Sequence, residues 1–176
     1  MTPPQLVDGQ IPLGRWVCTV EEAESTYVTG QPGERQAIWA EWQQLTGALR
    51  QLVGEVPACW LSGSFFSAKP DPADIDCVYL VDAVKFQNAA ASDPRALALL
   101  SAAATGQIKD IYGVRIDSYI LQWMPTPGPD PEPEARQYRE ARGYWDDLWS
   151  RIRDADPRLG SIPRRGYLEV IIDGYR

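Results

Sequence analysis

Apolar residues recur at helical spacing between Gly33 and Gly54. Ile38, Trp42, Leu45, Leu49 and Leu52 stand four, three, four and three residues apart, and Gly54 follows as a stop, which predicts a long amphipathic helix. Beyond Pro57 the pattern changes to an unbroken apolar run, Ala58-Cys59-Trp60-Leu61, ending in Ser62-Gly63-Ser64-Phe65-Phe66. That run predicts a buried strand entering a turn of small residues. Residues 67–73 carry Pro70 and Pro72, each of which removes a donor and restricts the residue before it, so no regular element is expected there. Asp74 to Val81 then predicts a second strand, with Asp74 and Asp76 on one face and Ile75 and Cys77 on the other.

Further along, Ser92-Asp93-Pro94 is a helix start, and the alanine-rich stretch from Ala96 to Ala104 continues it as far as Gly106. Tyr112 to Trp123 predicts a third strand. Val114, Ile116, Ser118 and Ile120 face one way in it, and Arg115, Asp117, Tyr119 and Leu121 the other. Pro125, Pro127, Pro129, Pro131 and Pro133 fall at alternate positions and predict a stiff extended connector. A helix is expected from about Glu134 to Arg153, carrying Tyr138, Tyr144, Trp145, Leu148, Trp149 and Ile152, and a last strand over Tyr167 to Ile172 after the basic turn Pro163-Arg164-Arg165-Gly166. Residues 1–13 are polar and proline-containing and read as a loosely held arm, leaving 14–176 as one domain. Helices and strands interleave without an internal repeat, so the expected fold is α/β (α+β), a mixed central sheet flanked by helices.

Composition narrows the chemistry. The 176 residues, 44% of them hydrophobic, suffice for one globular core. No apolar run reaches the ~20 residues a membrane helix needs, and the first residues lack the pattern of a secretory signal, so a cytoplasmic protein without a membrane partner is expected. Three widely spaced cysteines, Cys18, Cys59 and Cys77, suit neither a disulfide framework nor a zinc site, and Cys77 faces the core. Histidine is absent, which removes the imidazole of hydrolase triads and of most zinc enzymes. The net charge of −7 repels nucleic acid in bulk, so nonspecific duplex DNA binding is not expected. The chemistry left is that of carboxylates, hydroxyls and bound ions. Asp74, Asp76 and Asp117 interrupt strand patterns that are otherwise apolar, a costly placement unless the carboxylates are paired or hold a cation, and oxygen-only ligands suit Mg²⁺ or Mn²⁺. Asp117 could instead pair with Arg115, two residues away on the same face. Arg164 and Arg165 could be no more than a solvated turn, and the tryptophans read as core residues.

Gly63-Ser64, nine intervening residues and then Asp74-Ile75-Asp76-Cys77 resemble the signature of the nucleotidyltransferase superfamily related to DNA polymerase beta, and Asp117 in a later strand looks like its third carboxylate. The longer string from Trp60 to Pro70, the tryptophan-containing helix Tyr144 to Ile152 and the turn Arg165-Gly166-Tyr167-Leu168 are similar to a group of small stand-alone bacterial and phage members. The resemblance implies that Gly63 admits a triphosphate close to the backbone, that Ser64 donates to a phosphate oxygen, and that Asp74, Asp76 and Asp117 hold Mg²⁺ and do the catalytic work. Lys69, Arg115 and Arg165 become candidate phosphate contacts by location and charge. The implied reaction moves a nucleotide from an NTP to a hydroxyl on a protein, a tRNA or a small molecule, in the setting of toxin–antitoxin or phage-conflict systems. The alternatives are an inert module of the same fold that binds a protein partner or acts as an antitoxin, and, more weakly, a structural component with a residual site.

Overall fold

The computed structural model describes residues 2–124 and 133–175, so most of the proline-alternating connector lies outside the described residues. In chain order the elements are β1 (Arg15–Thr19), α1 (Val20–Tyr27), α2 (Gly33–Val53), β2 (Ala58–Ser62), β3 (Ile75–Asp82), α3 (Ala83–Ser92), α4 (Pro94–Ala104), α5 (Ile108–Tyr112), β4 (Ile116–Trp123), α6 (Pro133–Trp149), α7 (Pro157–Gly160) and β5 (Tyr167–Ile171). The five strands form one mixed sheet in the order β1-β5-β2-β3-β4. Pairs β1–β5 and β3–β4 are parallel, and β2 runs antiparallel to both β3 and β5. The mixed α/β class expected from the interleaved patterns is the one observed.

Both faces of the sheet are covered, which is why β2 and β3 read as continuous apolar runs. On one face Leu61 and Cys59 of β2 and Cys77, Tyr79 and Val81 of β3 join Ile38, Trp42 and Leu49 of α2 and Leu100 of α4. Cys77 is part of this core, as its strand position predicts. The Tyr79 hydroxyl, buried with the rest of its ring, meets the Thr46 hydroxyl at 2.9 Å. On the other face Trp60, Val78, Leu80 and Leu121 pack under Tyr138 and Trp149 of α6. One residue breaks the buried run of β3: Asp76 is only half-buried.

Helix starts missed by the apolar periodicity are set by capping. Thr19 and Glu22 form a reciprocal capping box at α1, the Glu22 amide donating to Thr19 Oγ1 at 3.2 Å and the Thr19 amide to Glu22 Oε2 at 2.9 Å. Asp82 closes β3 and caps α3, accepting from the Val84 and Lys85 amides, both at 2.9 Å. Asp93 caps α4 ahead of Pro94, as expected.

Three expectations are corrected. Tyr112 ends a short helix, since Gly113 takes the left-handed conformation (φ 69°) as its cap and β4 begins only at Ile116. Helix α6 stops at Trp149, four residues short of Arg153, and Arg151 instead bridges to Pro163. The N-terminal arm is fastened: Ile11 is a core residue, the Tyr27 hydroxyl donates to Pro4 O at 2.6 Å, Ala68 N donates to Gly9 O at 2.9 Å, and Gly166 N donates to Ile11 O at 2.8 Å. Backbone groups distributed along residues 4–11 supply these bonds, so side-chain polarity was a poor guide there.

Candidate functional site

The sheet register brings the acidic residues together. Asp76 and Asp117 are direct neighbours across the parallel β3–β4 pair, and Ser62 lies opposite Asp76 across β2–β3. Alternation therefore places both carboxylates on the α6 side of the sheet, near the strand starts, where the core gives way to solvent.

Two glycines let the backbone close in on these groups. Gly63, immediately after β2, holds φ 85° and ψ −172°, a conformation other residues rarely adopt. A Cβ there would lie 1.8 Å from Asp76 Oδ2, so the carboxylate rests against the glycine itself. Gly106 (φ 72°) follows α4, and a Cβ there would stand 2.8 Å from the Tyr119 hydroxyl and 3.2 Å from Asp117 Oδ1. The Tyr119 hydroxyl lies beside the Asp117 carboxylate and pulls its pKa down. Ser64, half-buried, opens a single 3-10 turn over Ser64–Phe66, and its carbonyl accepts from Ser67 Oγ at 2.7 Å.

Charge at the site is unbalanced toward the acids. Burial first, then the negative charges of Asp74 and Asp117, push the Asp76 carboxyl up to about 6 from its ordinary 3.8, against the opposing pull of Arg165 and Arg153. Asp117 also rises, through burial and Asp74, with Lys109, the Tyr119 hydroxyl and Arg153 working the other way. Asp74 just precedes β3, and its Oδ2 accepts from Lys109 Nζ of α5 at 2.5 Å. Among the described residues no three carboxylate or thiolate groups stand close enough together to enclose an ion as they are. The donors are nevertheless hard oxygens, and after burial the charges of Asp74 and Asp117 are what raise Asp76.

Arg165 is not a solvated turn residue. Its Nε donates to Trp149 O at 3.2 Å, burial pushes its guanidinium down, and Asp76 pulls it back up. Arg164 is likewise engaged, with Nη2 donating to Ile152 O and pairing with Asp154, both at 3.0 Å.

Two candidates are not brought to the carboxylates. Arg115 turns to α2, where its Nε and its amide both bond Glu41, at 2.9 and 2.7 Å, and Nη1 pairs with Glu34 at 2.5 Å. That also removes the alternative of Asp117 as its partner. Lys69 is exposed, lines a separate cavity beside α1 and the start of α2, and is not among the charges that act on Asp76 or Asp117. Sequence reasoning missed Gly106, Lys109, Tyr119 and Arg153. Tyr119 shared a predicted face with Asp117 and could have been found that way. The others arrive through loops and a short helix that carry no periodic signal.

The described helices include none long and apolar enough to cross a membrane. No curated protein and no solved structure matches the chain. Residues 3–171, nearly its whole length, match the pattern of a family of unknown function, DUF6932, and to that family the chain belongs.

Proposed function

We propose that the Asp76–Asp117 pair is the centre of a cytoplasmic, metal-dependent nucleotidyltransferase that moves a nucleotide from an NTP to a hydroxyl acceptor. One observation carries the reading: two acids in register on adjacent parallel strands, with the bare backbone of Gly63 pressed against one of them. Asp74, Asp76 and Asp117 are the residues that would hold Mg²⁺ or Mn²⁺, which when bound supplies positive charge to a triphosphate and to the acceptor oxygen. Gly63 lets the backbone close on the Asp76 carboxylate, and Ser64 is the candidate donor to a phosphate oxygen. Arg165 and Arg153, the cations that already act on Asp76, balance the remaining phosphate charge. Asp117 takes the proton of the attacking hydroxyl, whose oxygen forms the new bond to the α-phosphorus as pyrophosphate leaves. Such transfer rests on positioning and charge stabilisation and needs no histidine. With a net charge of −7, a protein side chain or small molecule suits as acceptor better than a large RNA such as tRNA, and the setting in this reading is a toxin–antitoxin or phage-conflict system.

A second reading is favoured by Lys109, whose ammonium already neutralises Asp74. In it the fold is an inert module or antitoxin that binds a protein partner, and the lysine takes the place of a bound cation. Calorimetric titration of the four NTPs with Mg²⁺ into the wild-type protein and Asp74→Ala distinguishes the two. Saturable binding of one NTP that the variant loses supports the enzyme and identifies the donor. No heat from any NTP with folded wild-type protein sinks it.

A further inference from the structure

A cavity of about 440 Å³ opens on the far side of the loop that follows Gly63-Ser64, between α1, the first turn of α2 and the N-terminal segment. Arg35 lines it and is 5% exposed. A guanidinium so deeply placed normally meets a carboxylate, because an uncompensated buried charge is expensive. Among the described residues Arg35 meets none. Its Nη1 donates to Phe65 O, its Nη2 donates to Lys69 O at 2.8 Å, and its Nε–H is buried without any hydrogen-bond partner. Burial pushes the group down, and no neighbouring acid opposes the shift. Neutral donors would serve two carbonyls as well, and although the guanidinium also lies over the Phe65 ring, 4.9 Å from its centroid, no counter-ion neutralises its charge.

The rest of the cavity wall has the same polarity. Lys69 adds a second cation, and no acidic side chain lines the space. Gln31 and Pro32 bring the start of α2 to its rim, and this 21-residue helix begins without a side-chain cap, leaving the positive end of its peptide dipoles turned there. Leu6 and Tyr27 add apolar surface to the same cavity. Anion-attracting groups together with a hydrophobic surface, in a volume suited to a small molecule, describe one class of occupant.

We propose that this cavity binds a small organic anion, its phosphate or carboxylate group drawn by the unneutralised charge of Arg35 and by the Lys69 ammonium and its apolar body lying on Leu6 and Tyr27. This site is separate from the carboxylate pair and does not depend on the transferase reading. An occupant would also steady the loop after Gly63-Ser64, since Arg35 grips the carbonyls at both ends of residues 65–69 and Ser67 holds Ser64.

The test uses phenyl phosphate, benzoate and inorganic phosphate, titrated without divalent metal into ¹⁵N-labelled full-length protein, while the Arg35 Nε–H resonance is followed and heats are measured in parallel. A saturable shift of that resonance by phenyl phosphate or benzoate is expected, and whichever probe binds tighter names the anionic group. Lys69→Glu, on an exposed loop, should weaken binding roughly tenfold or more. Arg35→Lys should abolish it if the variant folds. Asp76→Asn should leave the affinity unchanged, so the two proposals fail independently. The proposal is overturned by an Arg35 signal that no probe moves saturably at millimolar concentration, by equal affinity in the Lys69→Glu variant, or by loss of binding in Asp76→Asn.

Discussion

Replacing Gly63 by alanine tests the close approach on which the candidate site is built. The backbone there, at φ 85° and ψ −172°, lies in a region open to glycine almost alone, and an L-residue held in it costs about 1–3 kcal/mol. The added methyl would then meet Asp76 Oδ2 at 1.8 Å and its Cγ at 2.8 Å, so the carboxylate must swing aside. An off-rotamer displacement of that kind adds about 1 kcal/mol. Together the loss is about 2–4 kcal/mol, a fall in Tm of roughly 5–15 °C for a domain of this size. Urea unfolding followed by circular dichroism and tryptophan fluorescence would measure it. Gly113→Ala supplies the control, since φ there is 69° with nothing within 4 Å of a new Cβ, and only the left-handed backbone cost of about 1–2 kcal/mol applies. In an Asp76→Ala background the clash with Oδ2 and Cγ disappears, and Gly63→Ala should lose the about 1 kcal/mol that the carboxylate's displacement contributes. The reasoning fails if Gly63→Ala costs no more than Gly113→Ala, or if its cost is the same with and without the Asp76 carboxylate.

Asp76→Asn should raise stability at neutral pH. The folded carboxyl titrates near 6 against 3.8 for the ordinary group, so between these values the folded protein keeps a proton that the unfolded chain has released. Stability is therefore lost as pH rises through that window, by roughly 2–3 kcal/mol in total. Denaturation at pH 7.5 and pH 4 should show the variant more stable at the first and level with wild type at the second, and a constant gap would refute the assignment. Arg115→Ala breaks the pairs with Glu34 and Glu41 and should cost about 1 kcal/mol in urea unfolding while leaving nucleotide affinity unchanged. A large loss of affinity would bring Arg115 back to the site. Thr19→Ala removes one half of the α1 capping box and should cost about 1 kcal/mol by the same assay, with no change expected at the carboxylates.

What could be seen in the sequence was whatever the core imposes periodically. The stripe from Ile38 to Leu52 and the buried runs of β2 and β3 repeat because each element presents a whole face to the same apolar layer. Asp76 and Asp117 stood out as interruptions of such runs, and the in-register pairing of β3 with β4 made them neighbours. Arg115 was misjudged because alternation holds only inside a strand. One residue before β4 the chain is free to turn, and the acids of α2 claim the guanidinium. Lys69 fell in a loop whose two sides cannot be told apart by pattern, and it lines the Arg35 cavity. Helices α1 and α3 escaped because short segments owe their position to a capping Thr19 or Asp82 more than to an apolar stripe. Lys109 and Gly106 approach the carboxylates from segments that lack any repeat. Their roles depend on how α4 and α5 dock beside β4.

The strand order has a consequence for how the molecule is made. β5 lies between β1 and β2, so Arg15 waits for Tyr167 before it has a strand partner, and one edge of β2 stays bare until the same moment. Vectorial synthesis produces β2, β3 and β4 early, and with them both aspartates, as a three-stranded unit already able to pair. The segment that carries β5 then closes two gaps at once and delivers Arg165 beside Asp76 just before it does so. Until that insertion the nascent chain carries two acids without their arginine and an open hydrogen-bonding edge, the state in which it is most exposed to pairing with another copy of itself.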